Sequence, residues 1–218
     1  MGHVEIIKDL PISQLGPKDS KDIYVYTPDT KESSILMVIY DSQHVFRLYP
    51  TKNFMGINTY VDLKINRGDF PPITIIGISS NYYRLSNLSP WHLHIYQDFM
   101  SNTLIPFIER NYNVKRPYIN IGFSASGQLA IYMANYTGTF DMAGAIIPLW
   151  LPPKFTPSPT YHRFTYIISR NELDVDIIQN TIGKNFLHDI LSDVEHDFQH
   201  YRKLLPKVIE VLIRHVQE

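Results

Sequence analysis

One serine in this chain sits in a setting that suits nucleophilic chemistry. Ser124 has Gly122 two residues before it and Ser126-Gly127 after it, between a β-rich run (Tyr118–Gly122) and a helical pattern (Ala125–Tyr136). A serine at a strand-to-helix reversal, flanked by small residues, has the layout of a nucleophile elbow. The cause is crowding: the chain turns back within a few residues, so the neighbours must be small and the hydroxyl is thrust outward. The same turn puts the backbone N–H of Ala125 at a helix N-terminus, aimed to stabilise a developing oxyanion. Acyl transfer to the Ser124 hydroxyl is the chemistry this predicts. The alternative for the same residues is an ordinary turn in which Ser124 caps the helix.

Such a serine needs a rigid frame, and the sequence supplies candidates for one. Asp22–Tyr26, Ile35–Tyr40, Ile73–Ile78, Tyr118–Gly122, Ala143–Leu149 and Phe164–Ser169 are rich in β-branched and aromatic residues and read as strands, with a further strand near Phe186–Ile190. Between them, Phe99, Met100, Thr103, Leu104, Phe107 and Ile108 recur at helical spacing. Phe198, Tyr201, Leu204, Leu205, Val208, Val211 and Leu212 mark a long amphipathic helix, in which Pro206 predicts a kink or a late start. Strands alternating with helices predict an α/β fold, a mostly parallel central sheet with helices on both faces. Ligands then bind beyond the carboxyl ends of the strands, which is where Ser124 falls.

The 218 residues fit a single domain spanning 1–218, and 44% hydrophobic against 19% charged residues is the balance of a globular chain. A formal net charge of −1 with no basic stripe argues against nucleic acid as a partner. No apolar stretch has the length to cross a bilayer, so no membrane partner is expected. The absence of cysteine excludes disulfides, thiolate metal sites and cysteine nucleophiles. It agrees with a cytoplasmic location, which the N-terminus, lacking a secretory pattern, also favours. Oligomeric state is not readable.

Four blocks in order along the chain, within residues 35–46, 71–90, 104–112 and 195–206, together resemble the esterase group of α/β-hydrolases that includes enterochelin (siderophore) esterases, esterase D-type enzymes and mycolyltransferases. Ile35-Leu-Met-Val-Ile-Tyr-Asp41-Ser42-Gln43-His-Val-Phe46 resembles the group's strand and "D-G-Q-x-x-F" loop. Pro71-Pro-Ile-Thr-Ile-Ile-Gly77-Ile, with Arg84 and Leu88-Ser-Pro90 after it, is similar to its "V-V-G-I … R … L-S-P" segment. Leu104-Ile-Pro-Phe-Ile and Tyr112 resemble the helix before the elbow. Glu195-His196-Asp197-Phe198, Tyr201-Arg202 and Leu205-Pro206 resemble its "G-H-D-[WF]-x-x-W-R-x-x-L-P" block.

The resemblance implies a serine carboxylesterase that needs no cofactor or metal and acts on a small-molecule ester. It makes His196 the general base and gives the order nucleophile, acid, histidine. It places the acid after Phe164–Ser169, at Glu172, with Asp174 the rival and Asp176 also in reach. It makes the backbone N–H groups of Gln43 and Ala125 the oxyanion hole. His44 and Trp150 come after strands on the same side and are candidates to line the substrate site. The Pro-rich segment after Leu149 and the stretch from Glu172 to His196 are short, which predicts little or no lid. Two departures stand out: Ser42 and Ser126 occupy glycine positions, where a left-handed backbone would suit serine poorly. With the short stretch from Glu172 to His196, they leave room for a catalytically impaired binding protein on the same fold; an acyltransferase using the same residues, with a hydroxyl acceptor replacing water, is the other alternative.

Overall fold

The buried strands are continuous apolar runs, as expected when a sheet is covered on both faces. In the computed structural model, which describes residues 2–11, 20–46, 56–80, 93–148, 164–169, 186–191, 193 and 195–218, β3 (Ser34–Tyr40) and β4 (Ile73–Ile78) are buried at every position. With β1 (His3–Pro11), β2 (Ser20–Thr27), β5 (Val114–Phe123), β6 (Met142–Ile146), β7 (Phe164–Ser169) and β8 (Phe186–Ile190) they form one sheet in the order β1-β2-β4-β3-β5-β6-β7-β8. The β1–β2 and β2–β4 pairs are antiparallel and the other five pairs parallel. The expected mostly parallel sheet is therefore present.

Alternating side chains of the strands feed two apolar layers. Met37, Ile39, Ile121 and Phe123 pack with α1 (Ile57–Asn66) and the terminal helix, α5 (Phe198–Gln217). Leu36, Val38 and Tyr40 pack on the opposite face. Their partners there are α2 (Leu93–Asp98), a π-helical segment (Phe99–Leu104), α3 (Ile105–Asn111) and α4 (Ala125–Asn135). No described helix is long and apolar enough to cross a membrane.

Several elements differ from the sequence reading. β1 is not expected, because Glu5, Lys8 and Asp9 interrupt its apolar residues; it is an edge strand held by its ladder to β2. α1 is not expected either, since Ile57, Thr59, Val61 and Ile65 disfavour helix locally. Tertiary contacts hold it: Ile57 and Val61 are buried, and Asp62 accepts from Gly2 N–H (2.7 Å) and Tyr26 O–H (2.9 Å). β6 stops at Ile146 rather than Leu149, because Ile147 turns left-handed at φ 45°. α5 does not start late at Pro206; it begins at Phe198 and runs through the proline.

The sheet order reverses between β3 and β5, its central neighbours. The loop after β3 leads toward α1 and β4 on one side, and the loop after β5 leads toward α4 and β6 on the other. A crevice opens at such a switch point, beyond the carboxyl ends of the strands.

Candidate active site

Ser124 is the single residue between β5 and α4, and its backbone adopts φ 60°, ψ −124°. A non-glycine residue there is strained by about 1–3 kcal/mol and persists only where its surroundings impose it. Here the N–H of Ser124 donates to the Ile146 carbonyl (2.9 Å), while its own carbonyl receives the N–H groups of Gly127 (3.0 Å) and Gln128 (3.2 Å). Strand and helix backbones meet closely enough that a β-carbon on Gly122 would lie 2.0 Å from the Ser126 carbonyl oxygen. The small-residue pattern thus has the steric origin expected of an elbow, and Ala125 opens the helix as expected.

Left-handed backbone clusters at this edge of the sheet. Asp41 (φ 56°), Ser124 (φ 60°) and Ile147 (φ 45°) each come directly after the last residue of β3, β5 and β6, three adjacent strands. The concern over the two serines in glycine positions is corrected by this finding: neither Ser42 nor Ser126 has positive φ. Ser126 lies inside α4, and in the β3 loop it is Asp41 that takes the left-handed conformation, which Asp tolerates better than most residues. Ser42 is fully buried beside Gly77, where a β-carbon would come within 2.5 Å of Ser42 Cβ.

Ser42–His44 form one turn of 3₁₀ helix after β3. The exposed Gln43 pins this turn to the end of β4: its Oε1 accepts from Ser80 N–H (3.0 Å) and its Nε2 donates to Ser80 Oγ. On the other side Ser126 Oγ donates to Asp41 Oδ2 (2.8 Å). His44 is half-buried, stacked on Phe198 at 3.8 Å between ring centroids, and its carbonyl accepts from Arg202 Nε.

His196 is exposed and lies beside the residue that precedes the nucleophile candidate. Its imidazole lies 4.9 Å from the ring of Phe123, the residue immediately before Ser124. Phe123 stacks on Tyr201 (5.1 Å, 15°), and the Tyr201 hydroxyl donates to the Tyr40 carbonyl (3.0 Å) at the end of β3. Asp197, next to His196, caps α5 by accepting from His200 N–H (2.8 Å), which holds its carboxyl below the usual carboxylate range. The structure thus brings Ser124, Ala125, Gln43, His44 and His196 to one edge of the sheet. Glu172, Asp174, Asp176 and Trp150 lie outside the described residues.

Asp41, Phe123 and Tyr201 belong to the site's frame, and sequence reasoning does not single them out. Asp41 alone carries a signal, as a carboxylate beside Ser42 and Gln43 in a catalytic-side loop. Among the described residues, one grouping has donors spaced for a metal, Glu195, Asp197 and His200, all within 4.8 Å. The cap at the start of α5 already engages its Asp197 oxygen.

No protein-family model matches the sequence, and neither does any curated protein. Solved structures do resemble it. The enterochelin esterase of Shigella flexneri superposes with a TM-score of 0.75 at 14% identity, over 100% of this chain and 59% of that one. An IroE-like serine hydrolase from Shewanella oneidensis gives 0.65 at 13% identity, covering 98% of this chain and 80% of its own. A feruloyl esterase module from Clostridium thermocellum, complexed with sinapinate, gives 0.63 at 14%, covering 96% and 87%. The chain spans less than two thirds of the enterochelin esterase. At these identities the likeness establishes the fold alone, that of the α/β-hydrolases.

Proposed function

From this fold, we propose that the chain is a serine hydrolase that cleaves carboxylic esters through an acyl-enzyme on Ser124. The observation that carries the reading is the strained Ser124 at φ 60°, between β5 and α4, at the reversal point of the sheet. Strained backbone of this kind clusters at active sites.

In this mechanism Ser124 Oγ attacks the ester carbonyl while His196 takes its proton. The tetrahedral oxyanion is held by the N–H groups of Ala125 and Gln43; losing one such donor typically slows turnover by about 10²–10³. His196 then protonates the departing alcohol, and water repeats the sequence to release the acid. Glu172, or Asp174 in its place, accepts the other imidazole N–H and stabilises the imidazolium. The ordinary backbone at Ser42 and Ser126 favours this reading over an impaired binding protein.

The test is labelling with a fluorophosphonate and then peptide mapping, for wild type, Ser124→Ala and His196→Ala. Labelling of Ser124 that both variants lose is the expected result. A folded wild type that takes no label would overturn the hydrolase reading. Ester turnover by Glu172→Gln and Asp174→Asn then identifies the acid as the one whose loss costs more.

A further inference from the structure

We propose that Ser126 and Asp41 are a positioning pair that sets the separation of the two oxyanion-hole donors, an inference that rests on Ser124 being the nucleophile. The sheet itself does not hold that separation. The β3–β5 ladder ends at the pair Ile39–Ile121, so the end of β3 and the Gln43 turn that follows it have no ladder bond to the elbow. On its far side the same turn is tied to β4 through Gln43 and Ser80. The Ser126–Asp41 hydrogen bond of 2.8 Å ties it back toward the nucleophile.

Its placement is specific. Ser126 is the residue after Ala125, and Asp41 stands two before Gln43, so the bridge joins the two segments that carry the donors. Both ends are buried, Ser126 at 0% and Asp41 at 2% exposure, so water does not compete for the bond. Ser126 Oγ also accepts from Phe123 N–H (2.9 Å) and lies 2.8 Å from the Phe123 carbonyl. The hydroxyl has one proton, and the carboxylate is the stronger acceptor. The chain Phe123 N–H to Ser126 O–H to Asp41 therefore links both flanks of Ser124 to the neighbouring loop. A glycine at 126 has no hydroxyl to make it.

Donors aimed at the oxyanion act in the transition state, so a shifted pair lowers kcat and leaves KM nearly unchanged. The experiment measures p-nitrophenyl acetate hydrolysis and fluorophosphonate labelling by wild type, Ser126→Ala, Asp41→Gly, Asp41→Asn and the Ser126→Ala/Asp41→Gly double variant, with circular dichroism to confirm folding. Glycine keeps the left-handed backbone at 41 while removing the carboxylate; asparagine keeps an acceptor oxygen. Ser126→Ala and Asp41→Gly are expected to lose about 10- to 100-fold in kcat at constant KM. Asp41→Asn is expected to recover most of what Asp41→Gly loses, and the double variant to be no slower than the slower single one. An active wild type with Ser126→Ala within twofold of its kcat, or single losses that multiply in the double variant, would overturn the pair and leave the hydrolase standing. A wild type that neither hydrolyses nor labels removes both.

Discussion

Gly122 and Ser126 meet with no space for a side chain: the Gly122 α-carbon faces the Ser126 carbonyl, whose oxygen would be 2.0 Å from any β-carbon there. The obstacle is backbone on both sides, so no rotamer change relieves it. The contact lets α4 start directly on the end of β5 and forces the chain through Ser124.

Gly122→Ala is therefore expected to destabilise the protein by about 3 kcal/mol, the upper end for overpacking, because helix and strand must part. Urea unfolding monitored by circular dichroism measures it. A loss under about 1 kcal/mol would mean that the elbow yields easily.

The strain at Ser124 has its own signature. Ser124→Ala and Ser124→Gly both lack the hydroxyl and differ by one β-carbon, at φ 60° and ψ −124°. Glycine occupies that region freely but is more flexible when unfolded, so Ser124→Gly should be the more stable variant by about 1 kcal/mol. Thermal unfolding of the pair, compared directly, decides the matter. Equal midpoints would argue that this backbone carries no strain.

Gln128, one turn into α4, is fully buried, and among the described residues neither its amide oxygen nor its nitrogen has a hydrogen-bond partner. Replacing such a group with an apolar one of similar shape removes a desolvation cost. Gln128→Met is expected to gain about 1–2 kcal/mol in urea unfolding. A loss of stability would instead point to a ligand or water engaging this amide.

Alkaline pH should weaken the fold. Burial raises the phenols of Tyr26, Tyr40, Tyr136 and Tyr166 above their usual value, and pushes Tyr118 up to about 12, with its hydrogen bond to Glu109 adding to the shift. A raised folded-state value means that the folded protein holds the proton more tightly than the unfolded chain. This stability is complete below about pH 10 and is lost as pH rises through 10 toward 12 and beyond. The urea midpoint is expected to fall between about pH 9 and 11, with phenolate absorbance appearing as structure is lost. Free titration of all tyrosines near pH 10 in folded protein would contradict it.

The parallel centre of the sheet and the layout of the elbow are legible in the order of residues. Unbroken runs such as Ile35–Tyr40 and Ile73–Ile78 have few uses besides a strand covered on both faces, and Gly122-Phe-Ser124 records a steric demand at a single turn. Both are local signals, so both survive in one dimension. α1 depends on its surroundings instead: its residues disfavour helix until Asp62 finds Gly2 and Tyr26 and its apolar side meets the sheet. Folding also selects which residues of the two loops turn left-handed, Asp41 and Ser124, with Ser42 and Ser126 in ordinary backbone. Above all it creates the bridge from Ser126 to Asp41 and the approach of His196 to Phe123. Contacts between residues this far apart in the chain leave no mark in local pattern, because they exist only once neighbouring strands bring their loops to the same edge of the sheet.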